Sequence, residues 1–163
     1  MIHSLLVQRT RRYQHGVGMI EVLIAVLVVS IGFLGMAALQ AKALSTNNSA
    51  MARSMATVAS YSILDAMRAD IVKAGTGAYN GTVTANNCPA VGATPTLSST
   101  QLNAWCTELG DALGAVNTTS GKIDCSAAGP TSIDCAVTIQ FDDSRAGTSV
   151  GSTTQQVVTR AGL

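Results

Sequence analysis

The chain has 163 residues, room for one small domain and an added element, and 47% of them are hydrophobic, spread unevenly along its length. Its formal net charge of +1 hides an asymmetry: residues 1–16 carry Arg9, Arg11 and Arg12 with no acid, whereas the rest holds seven Lys or Arg against nine Asp or Glu, a balance near −2. A surface that binds phosphates should be basic and clustered, so this balance argues against nucleic acid as a partner.

From Val22 to Ala41, 20 consecutive residues carry no charge. A helix of that length spans about 30 Å, the thickness of a bilayer's hydrocarbon core, so the segment at about residues 19–41 is expected to cross a membrane. The arginines before it should stay in the cytoplasm, which places residues from Lys42 onward in the periplasm or outside. A secretory signal cut near Ala37, Ala38 or Ala41 is the competing reading. Against it stands Glu21, an acid at the mouth of the apolar run that would serve no purpose in a discarded segment. An acid at the centre of a membrane helix costs about 2.5–3.5 kcal/mol, less toward the edge. Glu21 therefore either snorkels to the interface or meets a positive charge from another chain. A cut after Gly16 would make Val17 the first residue and set a new α-ammonium four positions before Glu21.

Gly16 behind a short basic leader, then a uniformly apolar helix with Glu at the fifth position after the cut, resembles the class III signal of type IV prepilins and pseudopilins. The resemblance implies that prepilin peptidase removes residues 1–16 on the cytoplasmic face, that Val17 is then N-methylated, and that Glu21 pairs with the amine of a neighbouring subunit during fibre assembly. Two positions depart from the usual pattern: Val17 stands where Phe is common, and Ala38 where major pilins carry proline. Gly32 and Gly35 either weaken the helix, by about 1 kcal/mol each relative to alanine, or allow close packing of helices. The run "MIEVLIAVLVVSIGFLGMAALQ", a Trp-containing helix midway and the late "VTIQFDDSRAG" further resemble the PilV family of type IV pilus modification proteins, which are minor pilins.

No glycine occurs from Lys42 to Ala74 and no proline before Pro89, so residues 17–75 are expected to form one long N-terminal helix, roughly 87 Å if continuous from Val17 to Ala74. Met51, Met55 and Val58, then Ile63, Met67 and Ile71, make an apolar stripe for a globular partner. Gly75 is expected as the left-handed cap. In the head, residues 76–163, the stretch "GTGAYNGTVTANNCPAVGATPTLSST" reads as a long loop. A second helix is expected within Leu97–Val116, capped by Ser98, Ser99 or Thr100, with Leu102, Trp105 and Leu109 on its apolar face. Lys122–Ser126, Ile133–Phe141 and Thr154–Arg160 read as strands, the middle one by strict alternation. The fold class expected is α+β, the type IV pilin fold: a long N-terminal helix, membrane-spanning in its first half, packed on a small antiparallel sheet.

Cys88, Cys106, Cys125 and Cys135 all lie in the exported part, where an even count reads as two disulfides. "SAAGPTS" turns a hairpin that sets Cys125 and Cys135 on neighbouring strands. Three connectivities are open to four cysteines, and the pairing expected is Cys88–Cys106 with Cys125–Cys135. His3 and His15 both fall in the leader and no Cys-x-x-Cys occurs, so no catalytic residue, metal site or cofactor is expected. Asp142 and Asp143 read as turn formers. The chain is accordingly read as a structural subunit and not an enzyme. Its partners, as the resemblance implies them, are other minor pilins, the major pilin, prepilin peptidase and the inner-membrane assembly platform. The place implied is the inner membrane with a periplasmic head, then the pilus fibre, in a role that primes assembly for twitching motility and attachment. A minor pseudopilin of type II secretion shares the N-terminal logic and stays the alternative.

Overall fold

No proline interrupts the chain from residue 19 onward through residue 69, and the computed structural model carries one α-helix, α1, over Met19–Ala69. The structure describes residues 16–129, 132–144 and 151–163. The expectations placed on the leader, its arginines and its histidines lie outside these. After α1 come α2 (Ile71–Gly75), β1 (Gly81–Thr84), α3 (Leu97–Leu113), β2 (Ser120–Ala127), β3 (Ile133–Phe141) and β4 (Gln155–Gly162). Contacts divide the chain into one unit ending at Ala41 and a second from Lys42 to Leu163. The architecture is α+β and type IV pilin-like: a long apolar N-terminal helix followed by a small antiparallel sheet.

The expected single helix to Ala74 is interrupted. Asp70 leaves the helical region at φ −129° and ψ 50°, and its carbonyl accepts from the N–H groups of Lys73 and Ala74, both at 3.0 Å, to open α2. A tertiary contact accompanies the break: the Tyr79 hydroxyl bridges the Asp70 carboxylate, at 3.3 Å, and the Gln101 side-chain amide on α3. The cap also moves. Gly77 N–H reaches the Ala74 carbonyl at 3.0 Å and Ala78 N–H the Lys73 carbonyl at 2.9 Å, a Schellman closure whose left-handed residue is Gly77 at φ +79°, not Gly75.

Four strands pair in the order β1-β2-β3-β4, all antiparallel. β3 buries Cys135, Val137, Ile139 and Phe141 on one face, and these meet Ala56, Ala59, Ile63, Leu64 and Met67 of α1 and Trp105, Cys106 and Leu109 of α3 in one core. The stripe expected on α1 is thus right at Ile63 and Met67 and wrong at Met51, Val58 and Ile71, which are exposed. The inward face of α1 is led by small residues, Ser49, Ala56, Ala59 and Ser60, which bring its backbone close to the head and leave the wider side chains outside.

Two further expectations are corrected. The stretch read as loop contains β1, which pairs Val83 with Gly121 of β2. α3 is capped by Thr96, two to four residues earlier than expected: Thr96 Oγ1 accepts from Ser99 N–H and Ser99 Oγ from Thr96 N–H, each at 3.1 Å, a reciprocal capping box. Trp105 is core, 3% exposed, and its indole N–H donates to the Ala59 carbonyl at 2.9 Å. Gly121 makes room for it: a Cβ there would stand 2.3 Å from Trp105 Cη2.

Candidate processing and assembly segment

Residues 16–18 lie outside helical structure, and α1 starts at Met19. The Gly18 carbonyl accepts from Glu21 N–H at 2.9 Å and Val22 N–H at 3.3 Å, closing the first turn. Glu21 therefore sits in that turn, where a negative side chain complements the partial positive charge of the exposed N–H groups. Val17 and Glu21 share one strip of surface with Ala25, Val29 and Phe33, the four-residue step of one helix face. Among the described residues, no side chain bonds to the Glu21 carboxylate.

What surrounds Glu21 is apolar and bare. Every residue from Gly16 to Leu44 is exposed, with Val17 at 71% and Leu27 at 60%, and the most apolar 18-residue window of α1 has a mean hydropathy of 2.8 with none of it buried. Soluble proteins rarely leave such a continuous apolar area uncovered. By length and composition the segment is able to cross a membrane. Gly32 and Gly35 do not interrupt it, and a Cβ built at either meets nothing within 4 Å. Ser30 satisfies its hydroxyl on the Val26 carbonyl at 2.7 Å, so the apolar run exposes no competing polar group there.

The four cysteines lie in the second unit and form two bridges, Cys88–Cys106 and Cys125–Cys135, with Cα–Cα distances of 5.5 and 4.0 Å. The first ties the irregular chain before α3 to the buried face of that helix. The second joins directly opposed residues of β2 and β3. Both backbone polar groups of Cys125 are used elsewhere: its N–H donates to Asn80 Oδ1 at 2.8 Å and its carbonyl accepts from Asn80 Nδ2 at 3.0 Å. They face away from β3, which makes Cys125–Cys135 a non-hydrogen-bonded pair, the kind in which opposed side chains come closest.

Sequence reasoning missed two polar positions. Tyr79 is 1% exposed, and burial, followed by the nearby Asp70 charge, pushes its hydroxyl up from 10.0 to about 12. Asp143 is buried and accepts from the Ser49 hydroxyl of α1, while Asp142 stays at the surface and accepts from Ser144 N–H at 2.8 Å. Asp142 is thus a turn former; Asp143 is a buried contact to a residue 94 positions earlier.

Residues 11–37 match the family model described as the prokaryotic N-terminal methylation motif. No curated protein and no solved structure matches the chain. The matched residues contain Gly16, Val17 and Glu21 together with most of the exposed apolar run.

Proposed function

We propose that this type IV pilin-like or pseudopilin-like protein is a minor pilin of the PilV type, a structural subunit and not an enzyme. Membrane anchoring through the apolar half of α1 precedes assembly with other pilins, and prepilin peptidase acts on motifs of this kind. On our reading, cleavage follows Gly16, the exposed Val17 amine is methylated, and the head folds in the periplasm around its two disulfides. The subunit then enters a fibre, where it works with other minor pilins, the major pilin and the inner-membrane platform to support twitching motility and attachment.

One observation carries the reading. Glu21 sits in the first turn of a helix whose apolar residues up to Leu44 are all exposed, inside the matched motif, with no side-chain partner among the described residues. A carboxylate in hydrocarbon needs a counter-charge, and the processed amine of a neighbouring subunit is a cation at the right end of the helix. The apolar face that α1 leaves outside the head, with Leu44, Met51, Val58 and Tyr61 all more than half exposed, favours packing beside other subunits.

A minor pseudopilin of type II secretion is the second reading, favoured by the same segment. Gene deletion separates the two. Loss of surface fibres and twitching supports the pilus; intact fibres with exported enzymes held in the periplasm overturn it. Processing is tested by the mass of the mature N-terminal peptide, expected to begin at Val17 with one added methyl group. A mature chain that starts beyond Ala37 would refute the whole proposal.

A further inference from the structure

The sequence contains a single Asn-Gly step, Asn80–Gly81, at the entry to β1. Asparagine is chemically labile, most of all before glycine, where no Cβ shields the following backbone nitrogen. Both residues are exposed, so burial does not protect them. Hydrogen bonding does. Cys125 of β2 clasps the Asn80 amide: Oδ1 accepts from the Cys125 N–H at 2.8 Å and Nδ2 donates to the Cys125 carbonyl at 3.0 Å. A side chain thus extends the β1–β2 ladder where the backbone has left it. Gly81 starts that ladder opposite Ile123. Since the Cys125 backbone groups point toward β1, those of Ile123, two residues back, do the same, and Gly81–Ile123 is a pair that exchanges both backbone bonds. The Ala85 N–H continues the phase, donating to the Thr119 carbonyl at 2.9 Å. Glycine is required at position 81, because a φ of +144° is one that side chains rarely adopt.

We propose that Asn80–Gly81 is a self-modification site gated by the β1–β2 seam: while the seam is closed both reacting groups are held in other bonds, and when β1 leaves β2 the chain deamidates there. In the open state the Gly81 nitrogen gives up its proton and attacks Asn80 Cγ. The new C–N bond closes an imide ring as the Cγ–Nδ2 bond breaks, and Nδ2 leaves as ammonia with that proton. Water then opens the imide. Hydrolysis of the new bond leaves aspartate in the normal chain; hydrolysis of the original peptide bond leaves iso-aspartate, with the chain rerouted through Cγ and longer by a methylene. Either product sets a carboxylate where the Cys125 carbonyl needs a donor. The clasp cannot re-form, so each conversion is a one-way record of an opened seam. The inference does not depend on which fibre the protein joins.

Incubation of the full chain in detergent micelles at mildly alkaline pH tests it, with the peptide that holds Asn80 read by mass and by separation of its iso-aspartyl form. The folded protein should convert far more slowly than the same chain in urea. Val83, 9% exposed, is the buried anchor of β1. Val83→Ala removes two buried methyl groups there and should speed conversion in the folded protein roughly tenfold. Ile139→Ala, in β3 at a fully buried position, weakens the head as a whole; in conditions where it stays folded it should convert at the parent rate, because the seam opens without global unfolding. Asn80→Asp, made directly, should speed hydrogen exchange over Gly81–Thr84 and leave β3 and β4 unchanged. Conversion of the folded parent as fast as in urea overturns the proposal. So does an acceleration in Ile139→Ala equal to that in Val83→Ala, which would make unfolding of the whole head the gate.

Discussion

The two halves of α1 handle apolar surface in opposite ways. Before Ala41, large side chains such as Leu23, Leu27, Phe33 and Leu39 are all exposed. After Ser49, the residues turned inward begin with alanine and serine, and large ones, Ile63, Leu64 and Met67, enter the core only where α3 and the sheet receive them. One helix thus serves two solvents. In the first half hydrophobicity is spent on a medium or partner outside the chain, in the second on the chain's own core.

The sharpest way to break this comparison is to remove a large side chain from each region. Trp105→Ala should lower the head's unfolding free energy by about 3–5 kcal/mol, since it empties a core site and leaves the Ala59 carbonyl without its indole partner. Leu27→Ala, a similar loss of apolar surface, should leave the head's denaturant midpoint where it was, because that side chain is 60% exposed and outside the core. If Leu27→Ala also unfolds the head, the two halves are not independent in the way their burial indicates. The next effect in size belongs to Cys88–Cys106. Replacing both residues by serine should cost about 2–4 kcal/mol and expose the irregular residues before α3 to proteolysis first, since that bridge is what fixes them to the helix.

What the sequence made legible follows the same division. The apolar run of α1 and the alternation of β3 are strong periodic signals, and both elements stand where the pattern puts them. The inward face of α1 was not legible, because Ala56, Ala59 and Ser60 carry little hydrophobic signal and the eye goes to Met51 and Val58, which face out. β1 is only four residues of Gly, Thr and Val within a Gly/Thr/Asn-rich stretch, and it becomes a strand because β2 offers an edge. The break at Asp70 is accompanied by contacts with Tyr79 and Gln101, and the burial of Asp143 by one with Ser49, contacts between residues too distant for any local pattern to record. At the N-terminal segment, Glu21 was legible because a lone acid beside an apolar run stands out.

The polar side of the head can be probed by pH. With the Tyr79 hydroxyl raised from 10.0 to about 12, the folded state holds its proton more tightly than the unfolded chain does. The resulting stability is fully present below pH 10 and is lost as pH rises through 12. A displacement of this size corresponds to about 2–3 kcal/mol. Chemical denaturation across that interval should show the fall in the parent and lack this component in Tyr79→Phe. An equal fall in both would assign the alkaline loss to other groups.

The smallest effect gives the finest test of which face of α1 looks outward. Val58 is 62% exposed, while its neighbour Ala59 is 1% exposed and carries the carbonyl that receives Trp105. Val58→Ser should change the head's stability by less than about 0.5 kcal/mol, as surface substitutions do. Ala59→Leu, one position along, inserts volume into a filled core and should cost about 1–3 kcal/mol. Fibre incorporation ranks the pair the other way if the outward face serves assembly: Val58→Ser would then enter fibres less efficiently with its fold intact, which separates surface kept for other subunits from surface that is merely unburied.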